Sequence, residues 1–503
     1  MTTVTLSLIS HTNAGKTTLA RTLLGQDVGE VRDAAHVTTE ATEYTLIETA
    51  DGDRLALWDT PGFGDSARLA RRLAQESNPI VWFLAQMWDR FRDRAFFLSQ
   101  QAVRNVRDRA DVVLYLVNAS EHPADAGYLH SELAVLEWMR KPVLVLLNQT
   151  GPLEAPLTRP DGLPLPASGE RAGVRGDGDD DDLARWRSAL AHTPNVRGVI
   201  AFDAFARCWV QEFTLFAAIA PLLPAEHAAP FARLVAAWRS RRFEQLDHAM
   251  GALADAIASA ACARVAVPRT AMLRKLGSAL GVGSDPGTRE ATRAMTQLAQ
   301  QAGADLRAAT DEVIVLYGLA GRAAAEVEAH IEADIAREGP LDEGKAAAMG
   351  GVVSGALTGL AADLAAGGLT FGVGMLTGAV VGALGGAGFA RALNVARGQS
   401  EDVVRWDDAF IERLIVQALL RYLAVAHYGR GRGNFVEAES PALFRAQLAA
   451  AMASRQQQLA AIFAQRVPQC DTQAFANALT PVLRDITLAV LAKLYPDTLP
   501  DAS

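Results

Sequence analysis

Over the first two hundred or so residues, short runs of β-branched and apolar side chains alternate with longer stretches of helical periodicity, the pattern of βαβ units that build a parallel sheet. The runs predict strands at residues 4–9, 54–58, 112–117 and 143–147, with 44–48 as an antiparallel companion and 198–202 as a last strand. The segments following Gly15 and Ala126 read as helices. Between Asp65 and Ala110 a long connection sets Trp82, Phe83, Met87, Trp88, Phe91, Phe96 and Phe97 among Arg and Asp residues, a pattern compatible with amphipathic helices. Residues 151–182 shift to Pro, Gly and Asp and end in an aspartate-rich run, which reads as a flexible, solvated insertion. The alternative there is an acidic metal site, but consecutive aspartates lack the spacing of a Ca²⁺ loop. Beyond about residue 212 the strand signals largely disappear and Ala/Leu/Arg/Glu-rich helical patterns continue. The expected architecture is an α/β domain with a mostly parallel sheet over residues 1–212, followed by an all-α domain over 213–503.

Within the helical part, residues 346–362 carry no charge, Asp363 interrupts, and residues 364–390 are again uncharged. Gly351, Gly355 and Gly359 recur every fourth residue, as do Gly374, Gly378, Gly382 and Gly386, which places a smooth stripe on one face of each predicted helix. Two such helices can approach closely as a hairpin turning near Asp363. Crossing a bilayer takes ~20 apolar residues, so the second segment is long enough and the first is marginal. The other reading is a buried hairpin in water, because alanine and glycine gain little on leaving it.

At 503 residues and 53.5 kDa the chain exceeds what one core usually organises, which agrees with two or three domains. A formal charge of −9 and a pI near 5.6 argue against non-specific coating of nucleic acid. The run Gly429-Arg430-Gly431-Arg432-Gly433 is a small basic stretch that reads as an inter-helix loop. Only 7% of residues are aromatic, so the apolar content is mostly small and aliphatic. Cys208, Cys262 and Cys470 lie too far apart for a local zinc clip and make an odd set for a disulfide framework. The first residues lack a basic n-region and a small-residue cleavage site. The expectation is a cytoplasmic protein, with membrane association through the glycine-striped pair as a variant of it.

The chemistry concentrates where the first predicted strand ends. Ser10-His11-Thr12-Asn13-Ala14-Gly15-Lys16-Thr17 joins that strand to a helical stretch beginning with Thr18. A phosphate-binding loop needs converging backbone N–H groups, a glycine before a lysine, and a hydroxyl for Mg²⁺. Gly15, Lys16 and Thr17 supply these, while Ser10 stands where such loops usually begin with glycine. A second strand ends in Asp59-Thr60-Pro61-Gly62, which sets an acid where it can hold Mg²⁺ through water and an N–H of Gly62 where it can sense a γ-phosphate. Between the two motifs, Thr38 and Thr39 lie in a segment suited to a switch loop, and Thr39 is the first choice to close over the metal.

These motifs resemble the Era/TrmE-like branch of the translation-factor-related GTPases, whose phosphate loop ends Asn-x-Gly-Lys-Ser/Thr and whose second motif is Asp-Thr-Pro-Gly. The resemblance covers roughly residues 1–210, and the remainder looks like the helical C-terminal domain fused to some bacterial GTPases. It implies a P-loop GTPase fold that binds GTP or GDP with Mg²⁺. Lys16, Thr39 and Gly62 are then the catalytic candidates, Asn13, Ala14, Gly15, Lys16, Thr17, Thr18, Asn148 and Ala204 the nucleotide contacts, and Thr17, Thr39 and Asp59 the metal set. Asn148 matches the asparagine of the guanine-reading Asn-Lys-x-Asp motif, but Gly151 replaces its aspartate, so a weaker base preference is expected. Ala204 falls in the last base-contact loop. Phe63 stands where other GTPases carry a water-orienting glutamine. Some relatives use K⁺ held partly by the asparagine that matches Asn13. The implied function is a slow switch whose nucleotide state acts on a membrane-contacting or partner-contacting helical domain. A nucleotide-binding scaffold with little hydrolysis is one alternative, and an RNA-associated assembly factor another, disfavoured by the acidic chain.

Overall fold

The computed structural model describes residues 1–11, 14–25, 42–60, 66–74, 94–148, 178–204, 208–268, 286–319, 396–397, 401–428, 441–496 and 498. These fall into two compact units: Met1–Phe243 with Ala426–Leu443 and Leu494–Ser503, and Glu244–Val425 with Phe444–Lys493.

The first unit is organised by a six-stranded sheet of β1 (Thr3–Ser10), β2 (Thr42–Glu48), β3 (Arg54–Asp59), β4 (Val112–Asn118), β5 (Val143–Asn148) and β6 (Val196–Ala201), in the order β2-β3-β1-β4-β5-β6. Only β2 runs antiparallel to its neighbour. The central strands β4 and β5 are buried along almost their whole length, which explains why they read as unbroken apolar runs rather than alternating ones. The edge strand β2 mostly faces solvent and carries Thr and Glu. Every predicted strand is present; five are extended by one or two residues, and the last begins two residues earlier than expected and ends one short, at Ala201.

Among the described residues, six helices accompany the sheet: α1 (Lys16–Leu24), α2 (Ser66–Ala74), α3 (Arg94–Arg109), α4 (Leu129–Met139), α5 (Gly178–Leu190) and α6 (Gln211–Ile219). One core cluster joins Leu69 and Leu73 of α2, Val103 and Val106 of α3, and Val135, Leu136 and Met139 of α4 to Val113, Tyr115 and Val145 of the sheet. Of the stretch expected to be a flexible insertion, residues 151–177 lie outside the described residues, while 178–182 open helix α5. Acidic residues suit that position, where the positive end of the helix dipole favours them. Parallel connectivity gathers the ends of β1, β3, β5 and β6 along one edge of the sheet, where α/β folds place their ligands.

The remaining helices are α7 (Ala225–Cys262), α8 (Pro286–Leu316), α9 (Asp408–Ala426), α10 (Pro441–Ser454), α11 (Gln456–Phe463) and α12 (Thr472–Leu494). The second unit adds a small antiparallel sheet of β7 (Val265–Pro268), β8 (Ala396–Arg397) and β9 (Glu401–Val404), ordered β7-β9-β8, to its helices. Arg466 is buried beside it, donating to the carbonyls of Ala261 (3.0 Å) and Trp406 (2.5 Å) and pairing with Asp408. The cysteine spacing gave no sign of a disulfide, yet Cys262 at the end of α7 bonds Cys470 ahead of α12 across 208 residues of sequence, and Cys208 is free and buried. The pairing is set by tertiary packing, which spacing does not report. Helix α12 is long and apolar enough to cross a membrane by length and composition. Its Phe475, Leu479, Leu483, Ile486 and Val490 are all buried and recur every third or fourth residue, the spacing of one face packed on a core. The glycine-striped pair at 346–390 and the run at 429–433 lie outside the described residues.

Candidate functional site

Strand β1 delivers Ser10 to the edge of the sheet, and the chain turns into α1 through Gly15, whose φ of 92° is a left-handed conformation that a side chain would strain. Gly15 therefore caps α1, and its carbonyl accepts from Leu19 N–H at 2.9 Å. Ser10, in place of the usual first glycine, is fully buried, and its Oγ donates to the His11 carbonyl at 2.5 Å. That carbonyl also accepts from Ala14 N–H at 3.4 Å. Among the described non-glycine residues only Arg140 has positive φ, so Ser10 needs no backbone freedom that serine lacks.

Lys16 begins α1 with a buried side chain, and that burial pushes its pKa down while the charge of Asp59 opposes the shift. The parallel register sets Asp59 opposite Leu8 of β1. Thr60 reinforces this seam, its Oγ1 donating to the Leu8 carbonyl at 2.5 Å. Thr17 Oγ1 donates to Asp59 Oδ2 at 3.0 Å, whereas Asp59 Oδ1 is buried without a hydrogen-bond partner. Burial raises the carboxyl pKa of Asp59, and Lys16 and the Thr17 hydroxyl pull it back. An unmet carboxylate oxygen beside a threonine hydroxyl offers hard oxygen donors, which fits Mg²⁺, while the Lys16 ammonium is no metal ligand.

Asn148 ends β5 fully buried, and both ends of its amide are engaged by backbone. Nδ2 donates to the Ala14 carbonyl at 2.8 Å, and Oδ1 accepts from Ala204 N–H at 2.7 Å. Thr22 Oγ1 lies 3.2 Å from the Ala204 carbonyl and 2.9 Å from that of Thr18. One asparagine thus ties the phosphate loop to the loop after β6, and Ala204 takes part through its main chain. The described structure brings together Ala14, Gly15, Lys16, Thr17, Thr18, Asp59, Asn148 and Ala204 from the sequence-derived set. Asn13, Thr39, Gly62, Phe63 and Gly151 lie outside the described residues.

Sequence reasoning missed a polar cluster beneath the loop. Glu132 of α4 is fully buried; its Oε1 lies 2.6 Å from His11 Nδ1 and its Oε2 accepts from Tyr115 OH at 2.5 Å. The His11 ring stacks on Tyr128 with centroids 3.9 Å apart, and Tyr128 OH donates to Glu121 at 2.6 Å. The signal was present: Glu132 sits three residues after Leu129 and four before Leu136, on the buried stripe of its own helix.

Residues 5–149 match the family profile described as 50S ribosome-binding GTPase, and residues 187–479 match the domain of unknown function DUF3482. No curated protein shows a significant match. Among solved structures, an Era variant from Aquifex aeolicus bound to GDP and aluminium fluoride aligns with 17% identity and a TM-score of 0.28 over 44% of this chain. The chain spans 58% of that protein's length. A dimerization-deficient variant of Toc33 from Arabidopsis thaliana aligns at 15% identity and a TM-score of 0.26, over 41% of this chain and 73% of that one. The G-domain of FeoB from Methanococcus jannaschii aligns at 16% identity and a TM-score of 0.21, over 40% and 87%. With its second match extending over more than half of the sequence, the chain belongs to the DUF3482 family, here joined to an N-terminal P-loop GTPase domain.

Proposed function

We propose that this protein is a guanine-nucleotide switch with slow intrinsic turnover, whose nucleotide state acts on the helical region and through it on a membrane or a protein partner. The observation that carries the reading is the group of buried Lys16 and Asp59 with half-buried Thr17 at the edge of the sheet where its parallel strands end, with one carboxylate oxygen unmet. In this reading the Lys16 ammonium neutralises the β- and γ-phosphate oxygens, and the backbone N–H groups around Gly15 cradle them. Thr17 and Asp59 are the residues that would hold Mg²⁺, with Thr39 as the switch-loop candidate. The metal's contribution when bound is to neutralise charge developing on the phosphate oxygens. Asn148 keeps the phosphate loop and the base-side loop in register, so its part is positioning. Phe63 offers no hydrogen bond to a water, which is why slow turnover is expected. Asn13 is the residue through which K⁺ dependence would act.

The test is titration of purified full-length protein with GTP, GDP and ATP, followed by single-turnover hydrolysis in K⁺ and in Na⁺, each with and without liposomes. The reading expects Mg²⁺-dependent guanine-nucleotide binding and hydrolysis slow enough to require single-turnover conditions. Binding without hydrolysis in either salt would leave a nucleotide-binding scaffold. A GTP preference over ATP above ~10⁴-fold would mean that another residue replaces the aspartate missing at Gly151.

A further inference from the structure

The buried Glu132 beneath the phosphate loop has no part in the site described above. Resting on the reading that this loop binds a guanine nucleotide, we infer that His11 is a positioning residue of the loop, held by Glu132 so that its protonation tightens nucleotide binding.

A carboxylate without solvent exposure needs a compensating cation or strong donors. Glu132 is 0% exposed and meets the His11 ring through Oε1 and the Tyr115 hydroxyl through Oε2. Tyr115 serves as a neutral donor, because burial first and the charge of Glu132 second push its pKa well above the ordinary phenol value. The cation then falls to His11. Its side chain is one-third exposed, so it can exchange protons with water while Nδ1 faces Glu132.

Other groups around the ring have defined parts. Glu121, from the loop between β4 and α4, adds a second negative charge, and Tyr128 stacks on the ring as a neutral phenol. Burial pushes the Glu132 pKa up, and the hydrogen bonds from His11 and Tyr115 and the charge of Lys16 on α1 pull it back. The hydrogen bond to Glu132 is the largest cause holding the His11 pKa above its ordinary value, against the opposing effect of burial.

The ring fixes more than itself. The carbonyl of the same residue accepts from Ser10 Oγ and from Ala14 N–H. Ring and carbonyl belong to one residue, so anchoring the ring on α4 bears on Ser10 and Ala14 as well. Phosphate oxygens brought to the loop also favour a nearby positive charge, so nucleotide binding raises the His11 pKa further. By linkage the affinity must then be highest below the His11 pKa and fall as pH rises through it, a window above the free-imidazole value of about 6.5.

The experiment is calorimetric titration of the full chain with GDP between pH 6 and 9, comparing the natural protein with His11→Gln and Tyr115→Phe. Titration of the nucleotide's own phosphate is common to all three and cancels in the ratio of affinities. The ratio of natural to His11→Gln affinity is expected to fall with rising pH, about tenfold for each unit by which GDP shifts the His11 pKa. In Tyr115→Phe, where Glu132 loses its second donor, the step should survive at a displaced midpoint. A merely structural histidine would lower affinity equally at all pH values, so a pH-invariant ratio overturns the inference. Should His11→Gln not fold, NMR titration of the imidazole protons of the natural protein with and without GDP replaces it. An upward shift of one histidine on GDP addition is expected, and no shift overturns the proposal. A natural protein that binds no GDP at any pH overturns the nucleotide-site reading itself, and this inference with it.

Discussion

In the proposed nucleotide site, Lys16 is the residue on which binding depends most directly. It is the proposed cation of the phosphate loop, and the effect of its burial is opposed by the charges of Asp59 and Glu132. Lys16→Ala removes that cation at the start of a helix, where alanine is well tolerated, so GDP affinity should vanish while circular dichroism and unfolding midpoint hold. Unchanged affinity in a folded Lys16→Ala protein would place the nucleotide elsewhere. Asn148 makes the opposite kind of prediction. Removing its amide strands the Ala14 carbonyl and the Ala204 N–H, at a cost of about 1–3 kcal/mol for each buried group left unpaired. Urea unfolding of Asn148→Ala should register that loss together with weaker GDP binding. Asn148→Asp, which keeps the acceptor for Ala204 but sets a buried carboxylate against the Ala14 carbonyl, should cost at least as much. Equal stability of all three would remove the strut. Gly15, Lys16, Thr17 and Asp59 were legible from sequence because their chemistry needs fixed spacings within one strand and one turn. The partners of His11 were not, because they come from residues 115 and 132 on other elements.

Strands β4 and β5 were legible from their unbroken apolar runs, because burial on both faces leaves a direct trace in sequence. The acidic start of α5 was not, since a run of aspartates looks the same in a solvated loop as in a favourable first turn. The contact between α6 and the first half of α7 was equally silent. Glu212 of α6, fully buried, receives Arg242 Nε at 2.9 Å and Nη2 at 2.7 Å together with Trp238 Nε1 at 2.5 Å, while Arg241 lies over the Trp238 ring at 4.1 Å. Removing one member of a buried pair leaves its partner uncompensated, which typically costs ~3–5 kcal/mol. Glu212→Ala should therefore lower the unfolding free energy of the first unit by about that amount. Glu212→Gln, which keeps an acceptor for Trp238, should cost less. Denaturant titration followed by tryptophan fluorescence measures both, and a loss under ~1 kcal/mol for Glu212→Ala would mean that the pair adds nothing over its solvated state.

Across the whole molecule, the proposed switch has a thermodynamic requirement. If replacing GDP by GTP changes the helical unit, the two sites share a coupling free energy, and coupling is reciprocal: any change in the helical unit that GTP favours must in turn favour GTP. The disulfide between Cys262 and Cys470 provides a reversible handle, because it closes a very long loop within that unit and such bonds typically contribute ~2–4 kcal/mol. The first expected outcome is a difference in amide exchange over residues 244–425 and 444–493 between the GDP complex and a complex with a non-hydrolysable GTP analogue. The second follows from closing the cycle: the ratio of GTP-analogue to GDP affinity, measured on oxidised and on reduced protein, should change by the factor by which the disulfide's reduction equilibrium differs between the two nucleotide complexes. Typical couplings of ~1–3 kcal/mol correspond to about 5–150-fold, well within the reach of titration. Identical exchange in both complexes, with an affinity ratio indifferent to reduction, would sink the switch and leave a nucleotide-binding domain thermodynamically independent of the helices that follow it.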